Sequence, residues 1–498
     1  MPLSLIKPQP DERMMLRQLL FVVIFVTLPL MSVPGKADES KTLRVLTRDT
    51  SAIGGPAQRH GHSFEEMSGT SVSVSQVPFE QLYDHIMLGF VTGQMDFDIL
   101  LIPSAWLADF APYLSSVPDS ILDGAQLNDI HPVYRALMRW ENRWMALTID
   151  GDLHLGAYRQ DLFDEPGTQK EFRQVYGRAL VPPRTWTEYR DIAAFFNGRR
   201  LPDGTTLAGT LEAYAPGGQR IWYLFSHAAT YTNHPDHPGA MFFDPDSMRP
   251  AIDNAGWVRA LNEFLQLRQF GPVDAGSLDS EGVRTRFAAG QAAMNIDWAD
   301  TAVLAGNSAH SQVAGKLGFF ALPGSRDVWN PEKGVWEWIA QPRSVTFLAF
   351  GGWIAVVPAA SLEVEQAWSY IAWYANPQHS TEDVLDGTTG INPYRRSHLR
   401  DLARWGQLPG NRQAPDYLGV LQASLSAPQT IPDLRIPGYR AYIAALERQL
   451  DRVLAGEVTA EAGLREAARD WEALTDRLGR ISQRRHYRDA MGLKERVQ

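Results

Sequence analysis

Alternation of short strands with helices near the start of the chain constrains the fold most strongly. Three alternating, β-branched segments predict strands at residues 41–47, 70–77 and 96–102. A helix ending at Gly69 and an amphipathic helix over residues 79–88 separate them. Strands separated by helices predict a parallel α/β sheet, and the third strand would deliver Ser104 and Trp106 at its carboxyl end.

Residues 286–300 combine the end of a helix with a buried strand and a polar-aromatic pair. Gly290 is suited to the left-handed residue that closes a helix, and residues 292–296 form a short apolar run. Asp297 and Trp298 follow at the carboxyl end of this strand, where open α/β sheets bind ligands. A tryptophan that merely caps the core explains the local pattern equally well.

A second polar segment begins at residue 150 with Asp150, Asp152 and His154. Two carboxylates and an imidazole this close suit an acid/base site, a metal site or a solvated crossover loop. We favour hydrogen bonding to a polyhydroxylated ligand over catalysis.

Two later segments carry further candidates for a binding cleft. Residues 347–358 read as a strand in which Gly351 and Gly352 would let a backbone or a ligand approach closely, with Trp353 beside it. A core tryptophan at a strand bulge is the alternative. Residues 386–398 are turn-rich and present many hydrogen-bond donors.

Residues 1–37 have the pattern of a cleavable export signal. Arg13 and Arg17 precede an apolar run of about twelve residues, too short to span a bilayer, and Ala37 ends a small-residue cleavage site. An uncleaved membrane anchor is the alternative. The chain has no cysteine, which excludes disulfides and a lipid-modified N-terminal cysteine, so we predict a periplasmic protein.

Charge and missing motifs narrow the classes of function. The net charge is −10, and no basic cluster with interleaved aromatic residues offsets it, so nucleic acid is not an expected partner. Signatures of serine hydrolases, P-loop enzymes, zinc proteases and dinucleotide-binding enzymes are absent from the sequence. We therefore predict no catalytic residues, although glycosidase carboxylates need not be close in sequence.

Five short motifs carry a resemblance to a known family. They are Phe-x-x-Gly-Gln-Ala-Ala-Met from Phe287, Tyr-Arg-x-Asp-Leu-Phe from Tyr158, Leu-Pro-Gly from Leu322, Gly-Gly-Trp from Gly351 and Thr-Gly-x-Asn-Pro-Tyr-Arg from Thr389. Together they resemble the extracellular solute-binding proteins of family 1, the sugar-binding subunits of ABC importers.

The resemblance implies an α/β, two-lobed periplasmic-binding-protein fold of type II, with a ligand cleft between lobes joined by hinge crossovers. We expect residues 42–150 with 291–347 in lobe I, and residues 151–290 with 348–490 in lobe II. Crossovers are expected near residue 150, near residue 290 and in the 340s. The closing helices would cover lobe II.

The same resemblance implies capture of a carbohydrate or polyol and its delivery to the permease subunits of an ABC transporter. The protein would be a monomer without cofactor or metal. A binding protein for a non-sugar solute and a periplasmic glycan-acting enzyme are the alternatives. The predicted ligand-binding residues are Arg48, Ser104, Trp106, Asp150, Asp152, His154, Asp297, Trp298, Gly352, Trp353, Asn392, Tyr394 and Arg395.

Two local features outside this set have their own predictions. His234, Asp236 and His237 could form a metal cluster, but the neighbouring prolines favour a rigid polar loop. Thr185 and Glu188 have the spacing of a helix capping box. The Trp-rich residues 329–338 have no assigned role.

Overall fold

The computed structural model describes residues 42–217, 219–406 and 414–493 of the chain. The signal peptide predicted for residues 1–37 lies outside the described residues. Within them, no helix is both long enough and apolar enough to cross a membrane. The strands of this part of the chain are β1 Thr42–Arg48, β2 Ser71–Val77, β3 Ile99–Pro103, β4 Arg139–Trp140, β5 Arg143–Trp144, β6 Leu147–Thr148, β7 His154–Arg159, β8 Ala208–Leu211, β9 Ala292–Trp298, β10 Leu317–Phe320, β11 Ser325–Asn330, β12 Val335–Arg343, β13 Thr346–Phe347, β14 Trp353–Val356 and β15 Thr430–Ile431.

Helices make up most of the remaining structure. They are α1 Ser51–Ser68, α2 Phe79–Thr92, α3 Leu107–Phe110, α4 Asp119–Gly124, α5 Pro132–Leu137, α6 Gln160–Phe163, α7 Pro166–Tyr176, α8 Trp186–Phe196, α9 Arg220–Thr232, α10 Ala255–Leu267, α11 Ser280–Ala288, α12 Thr301–Gly306, α13 Val364–Tyr374, α14 Pro377–Leu385, α15 Leu402–Trp405, α16 Ala414–Leu425, α17 Tyr439–Leu454, α18 Ala460–Leu478 and α19 Arg480–Ala490.

A five-stranded sheet with the order β2-β1-β3-β14-β6 forms the centre of lobe I. Strand β1 pairs in parallel with both β2 and β3, which confirms the parallel α/β arrangement predicted from the first three strands. Strand β14 returns antiparallel to β3 and also pairs with β6. All five residues of β3 are buried, because helices and loops cover both faces of this central strand.

A four-stranded sheet with the order β10-β7-β9-β8 forms the centre of lobe II. Strand β9 lies between β7 and β8, antiparallel to the first and parallel to the second. Every residue of β7 and β9 is buried. In the register of this sheet, His154 pairs with Trp298 and Leu155 with Asp297.

The strand pairing corrects the predicted distribution of the chain between lobes. Residues 291–347 were expected in lobe I, but β9 and β10 belong to the sheet of lobe II. Residues from 348 onward were expected in lobe II, but β14 belongs to the sheet of lobe I. The predicted crossover near residue 290 is therefore wrong, since α11 and β9 both pack within lobe II.

Helices after β14 divide between the two lobes. Helix α13 packs on α1, where the Tyr370 hydroxyl donates to the Ala57 carbonyl and Trp373 Nε1 donates to Ser63 Oγ. Helix α17 instead binds lobe II, because its Asp451 accepts a hydrogen bond from the buried Arg220 of α9. The chain thus crosses between the sheets at residues 149–153, at residues 348–352 and again between α14 and α16.

The capping box predicted at the start of α8 is confirmed. Thr185 Oγ1 accepts from the Glu188 backbone N–H at 3.1 Å, and Glu188 Oε2 accepts from the Thr185 backbone N–H at 3.2 Å. The box fixes the helix start that carries the buried Trp186 into the core of lobe II.

We expect Thr185→Ala to lower the free energy of unfolding by about 1 kcal/mol, because the first turn of α8 loses an acceptor for one of its free N–H groups. Urea denaturation followed by tryptophan fluorescence measures the change. Thr285→Ala, an exposed threonine inside α11, is the matched control and is expected to change stability by less than about 0.5 kcal/mol. Equal losses in both variants would contradict a capping role.

Candidate functional site

The first two crossovers lie against each other and bring the predicted segments together. The backbone N–H groups of Ile149 and Asp150 donate to the Trp353 carbonyl at 3.0 and 3.2 Å. An added Cβ at Gly352 would lie 2.1 Å from the Asp150 carbonyl oxygen. Gly352 also has a φ of 84°, so this position requires glycine both for space and for backbone conformation.

The second crossover has an unusual backbone. Residues 347–358 were predicted as one strand, but a turn separates β13 from β14. Four of the five residues of this turn have positive φ, including Ala349 at 29° and Phe350 at 48°, where side chains other than glycine are disfavoured. Ser104 holds the turn in place, since its hydroxyl donates to the Phe350 carbonyl at 2.9 Å. The Ser104 hydroxyl therefore binds the hinge backbone.

Asp150 and Asp152 meet a single amide side chain from the distant 386–398 segment. Asn392 donates its backbone N–H to Asp150 Oδ1 at 2.6 Å. Its Nδ2 lies 3.2 Å from Asp150 Oδ1 and 2.7 Å from Asp152 Oδ1. The structure thus joins three predicted site residues into one buried hydrogen-bonded group.

A second pair of carboxylates lies at the carboxyl end of β9. Asp297 accepts from the Tyr223 hydroxyl at 3.1 Å and lies 3.3 Å from the guanidinium of Arg284. Arg284 also reaches Asp300 at 3.7 Å and lies over the Trp298 ring, 5.3 Å from its centroid. Sequence reasoning missed Arg284, Tyr223 and Asp300; the position of Asp300 two residues after Trp298 is the one signal that could have indicated it.

His154 lies between these groups at the start of β7. Its Nδ1 is 2.8 Å from Ser226 Oγ, and its ring meets the Trp298 ring edge to face at a centroid distance of 4.3 Å. Burial, together with the positive charge of Arg284, holds the pKa of His154 well below its usual range. A neutral imidazole has one donor and one acceptor nitrogen, and because Ser226 engages Nδ1, Nε2 is the nitrogen that can bind a further group.

Aromatic rings from both lobes close one side of the site. Phe350 lies at the centre, with ring centroids 4.8 Å from Trp222, 5.5 Å from Trp298 and 6.1 Å from Trp353. Phe79 of α2 extends the group on the lobe I side. It stacks on the predicted Trp106 at 5.6 Å and meets Arg48, whose guanidinium carbon lies 5.2 Å from the Phe79 ring centroid. Sequence reasoning missed Phe79, Trp222 and Phe350.

Burial shapes the charges of the carboxylates. It raises the pKa of Asp150 and of Asp297 to about 7, and it raises the pKa of Asp152 and Asp300 as well. The positive charge of Arg284 opposes the shift at Asp152, Asp297 and Asp300. The four carboxylates, the two arginines and His154 are close enough for their charges to affect one another's pKa values, and Asn392 donates to two of the carboxylates. We call this set the polar cluster (Asp150, Asp152, Asp297, Asp300, Arg48, Arg284, His154 and Asn392).

Several polar atoms of this cluster are buried without a hydrogen-bond partner among the described residues. Among them are Asn392 Oδ1, Asp300 Oδ1, His154 Nε2 and Arg48 Nε. Such atoms are rare in protein interiors because each costs about 1–3 kcal/mol of desolvation free energy. Unpaired buried acceptors and donors beside aromatic rings are what a bound polyhydroxylated molecule would satisfy.

Two predicted residues direct their side chains to partners outside this cluster. Arg395 donates to the Ala375 carbonyl at 2.5 Å and lies 3.5 Å from Asp129 Oδ2, so its guanidinium contacts residues of lobe I that are not part of the cluster. Tyr394 packs its ring edge to face on His398. Ligand contact by these two residues stays a prediction.

The His234 loop has protein partners of its own. His234 Nε2 lies 3.0 Å from Glu337 Oε2 of β12, and the Asp236 backbone N–H donates to His234 Nδ1. Within the described residues, no group of three or more His, Asp or Glu side chains is arranged to hold a metal ion.

Comparison with solved structures defines the class of the fold. An ABC transporter solute-binding protein of Agrobacterium radiobacter K84 in complex with ribitol superimposes with a TM-score of 0.66, at 22% identity over 87% of this chain and 98% of that one. Maltose-bound MalE3 of T. maritima gives a TM-score of 0.69, at 20% identity over 87% and 99%. These likenesses confirm the two-lobed fold.

The family follows from the sequence match. The model of the bacterial extracellular solute-binding proteins matches residues 61–406, and the chain belongs to this family. A probable amino-acid ABC transporter periplasmic-binding protein of Sinorhizobium fredii is 23% identical over 373 residues, covering 73% of this chain and 74% of the relative. The resemblance drawn from the sequence motifs is thereby confirmed.

We expect Gly352→Ala to lower the free energy of unfolding by about 2–4 kcal/mol, because a Cβ would collide with the Asp150 carbonyl and the φ is left-handed. Thermal unfolding measures the loss. Gly69→Ala is the matched control: it has a similar φ of 74° but no atom within 4 Å of an added Cβ. It should cost only about 1 kcal/mol. Equal losses of unfolding free energy in the two variants would show that the close contact between Gly352 and the Asp150 carbonyl is not required.

We expect the ligand-free protein to become less stable as pH rises from about 4 to about 7. The folded protein holds protons on Asp150 and Asp297 across this range, whereas the unfolded chain releases them near pH 4. Melting temperatures from pH 4 to pH 8 measure the effect. Asp152→Asn should flatten the slope, because it removes a further buried carboxylate whose pKa is raised, whereas exposed Asp119→Asn should preserve it. An unchanged slope in Asp152→Asn would contradict the attribution of this pH dependence to the buried carboxylates.

Proposed function

We propose that the protein is the periplasmic substrate-binding subunit of an ABC importer and that it takes a small carbohydrate or polyol. The observation that carries the proposal is the polar cluster, whose unpaired buried atoms come from both lobes and whose His154 and Arg284 lie against the Trp298 ring. A sugar or polyol offers C–H faces to rings and hydroxyl groups to donors and acceptors. The ribitol and maltose in the two similar structures are molecules of this kind.

Closure of the lobes would couple binding to transport. Arg48, Asp150 and Asn392 belong to the lobe I side of the site, whereas His154, Asp297 and Arg284 belong to lobe II. A ligand that contacts both sets favours the closed state, because only that state makes both sets of contacts. The closed complex then presents a surface that differs from that of the open protein, and permease subunits in the inner membrane can recognise it.

The remaining parts of the proposal concern the exported protein. Residues 1–37 would direct export and be removed, leaving a monomer in the periplasm that binds its ligand without chemical change. We assign residues 42–148 with β14, α13 and α14 to lobe I, and β7–β10 with α17 and α18 to lobe II, following the two sheets.

A non-sugar solute is the second candidate. The Sinorhizobium fredii relative carries the description of an amino-acid binding protein, and the polar cluster holds four carboxylates that could receive an amine. Inclusion of amino acids and amines among the tested ligands separates the two classes.

We expect a sugar or polyol at a hundred times its Kd to stabilise the chain lacking residues 1–37 by about 2.7 kcal/mol. Thermal-shift measurements against ribitol, mannitol, maltose and other sugars, with amino acids and amines alongside, detect it as a raised melting temperature. Recovery of unaltered ligand after incubation tests the expected absence of catalysis.

In the same assay, Arg48→Met should weaken binding at least tenfold, because Arg48 brings an unpaired Nε to the site. Arg143→Met, an exposed arginine, is the control and should bind as the parent protein does. Stabilisation by amino acids alone, or consumption of a sugar ligand, would contradict the proposal.

A further inference from the structure

Two carboxylates of the polar cluster have no cationic partner among the described residues. Asp150 and Asp152 are 1% and 3% exposed. Both accept hydrogen bonds from Asn392, whose side-chain amide and backbone N–H are uncharged. Within the described residues, no lysine or arginine nitrogen lies within 4 Å of either carboxylate, whereas Asp297 and Asp300 share Arg284. Buried carboxylates are ordinarily paired with a cation, so these two require an explanation.

The charges of the cluster as a whole do not balance. Four aspartates face two arginines, Arg48 and Arg284, and the guanidinium of Arg48 lies over Phe79 rather than beside a carboxylate. Removing an uncompensated charge from water costs several kcal/mol per ion. In the ligand-free protein, uptake of protons relieves this cost, since burial raises the pKa of Asp150 to about 7 and that of Asp152 further above its usual range.

Two of the unpaired atoms require a ligand group that donates hydrogen bonds. Asn392 Oδ1 and Asp300 Oδ1 are both acceptors, and both are buried without a donor among the described residues. A hydroxyl group brings one donor, whereas an ammonium group brings three donors and a positive charge. An ammonium group therefore donates to these two acceptors and also offsets the surplus of negative charge.

We infer that the ligand is a cationic member of the proposed class, an amino sugar or amino polyol, whose ammonium group binds at the Asp150–Asp152 carboxylates beside Asn392. The inference rests on the proposed function, because the hydroxyl groups of the same ligand bind the rest of the cluster. Arg284 then remains paired with Asp297 and Asp300, and the ammonium group of the ligand neutralises one of the other two carboxylates.

Matched pairs of ligands test this inference by isothermal titration calorimetry at pH 7 with the chain lacking residues 1–37. Each pair differs by one hydroxyl replaced by an amine: D-glucose and D-glucosamine, D-galactose and D-galactosamine, and D-mannitol and 1-amino-1-deoxy-D-mannitol. In at least one pair the amine should bind at least tenfold more tightly than its alcohol, because a charge-assisted hydrogen bond replaces a neutral one. Putrescine, a diamine without hydroxyl groups, should bind more weakly than that amine.

Substitution of one carboxylate assigns the preference to its site. Asp152→Asn keeps the shape and an oxygen for Asn392, and it should reduce the ratio of amine affinity to alcohol affinity at least tenfold. Asp119→Asn removes an equal charge from an exposed position and should leave the ratio unchanged. Circular dichroism of both variants confirms that they fold, and Asp150→Asn replaces Asp152→Asn if the latter does not.

The outcomes distinguish this inference from the proposed function. If alcohols bind as tightly as or more tightly than their amines, the inference is overturned and the proposed function stands. If putrescine binds more tightly than every amino sugar and amino polyol, the ammonium-binding site at Asp150 and Asp152 is supported, and the proposal that the ligand is a carbohydrate or polyol is contradicted. If Asp119→Asn and Asp152→Asn reduce the ratio equally, the preference is a property of the net charge, and the inference fails. If no member of any pair binds, both the inference and the proposed class fall.

Discussion

The approach of the Gly352 backbone to the Asp150 carbonyl is the contact on which the rest of the site depends. It brings two crossovers together at the point where the chain passes between the sheets. The paired backbone then sets the direction of Asp150 and Trp353, which leave the contact toward the polar cluster and the aromatic rings. Because Ala349 and Phe350 adopt left-handed φ values in the same turn, the hinge is held by tertiary contacts rather than by local preference.

Those tertiary contacts include residues that we propose to contact the ligand. Trp298 Nε1 of lobe II donates to the Ala349 carbonyl at 3.3 Å, and Ser104 of lobe I donates to Phe350. These proposed ligand contacts therefore also hold the crossover in place. A binding protein gains from this arrangement, because any group that contacts Trp298 also acts on the hinge. The buried carboxylates oppose closure of the lobes, since water would solvate them when the lobes separate.

Sequence patterns predicted those features that depend on neighbours in the chain. The parallel pairing of β1 with β2 and β3, the capping box at Thr185 and the glycine requirement at Gly352 each follow from a few adjacent residues. The division of the chain between lobes was wrong because β9 is buried on both faces, so its sequence carries no alternation that could identify its partners. Hydrogen-bonded partners of a fully buried strand are a property of the whole fold.

The chemistry of the polar cluster could likewise be predicted only in part from the sequence. Asp150, Asp152 and Asn392 were each predicted as site residues, yet 240 residues separate Asp152 from Asn392, and no spacing rule joins them. Arg284 was missed because it occupies an ordinary position in α11, and its role comes only from the carboxyl end of β9 beside it. Residue types along the chain indicate which groups can bind a polar ligand. Which charge remains unpaired among them, and hence which ligand is favoured, is decided by the crossovers that bring the groups together.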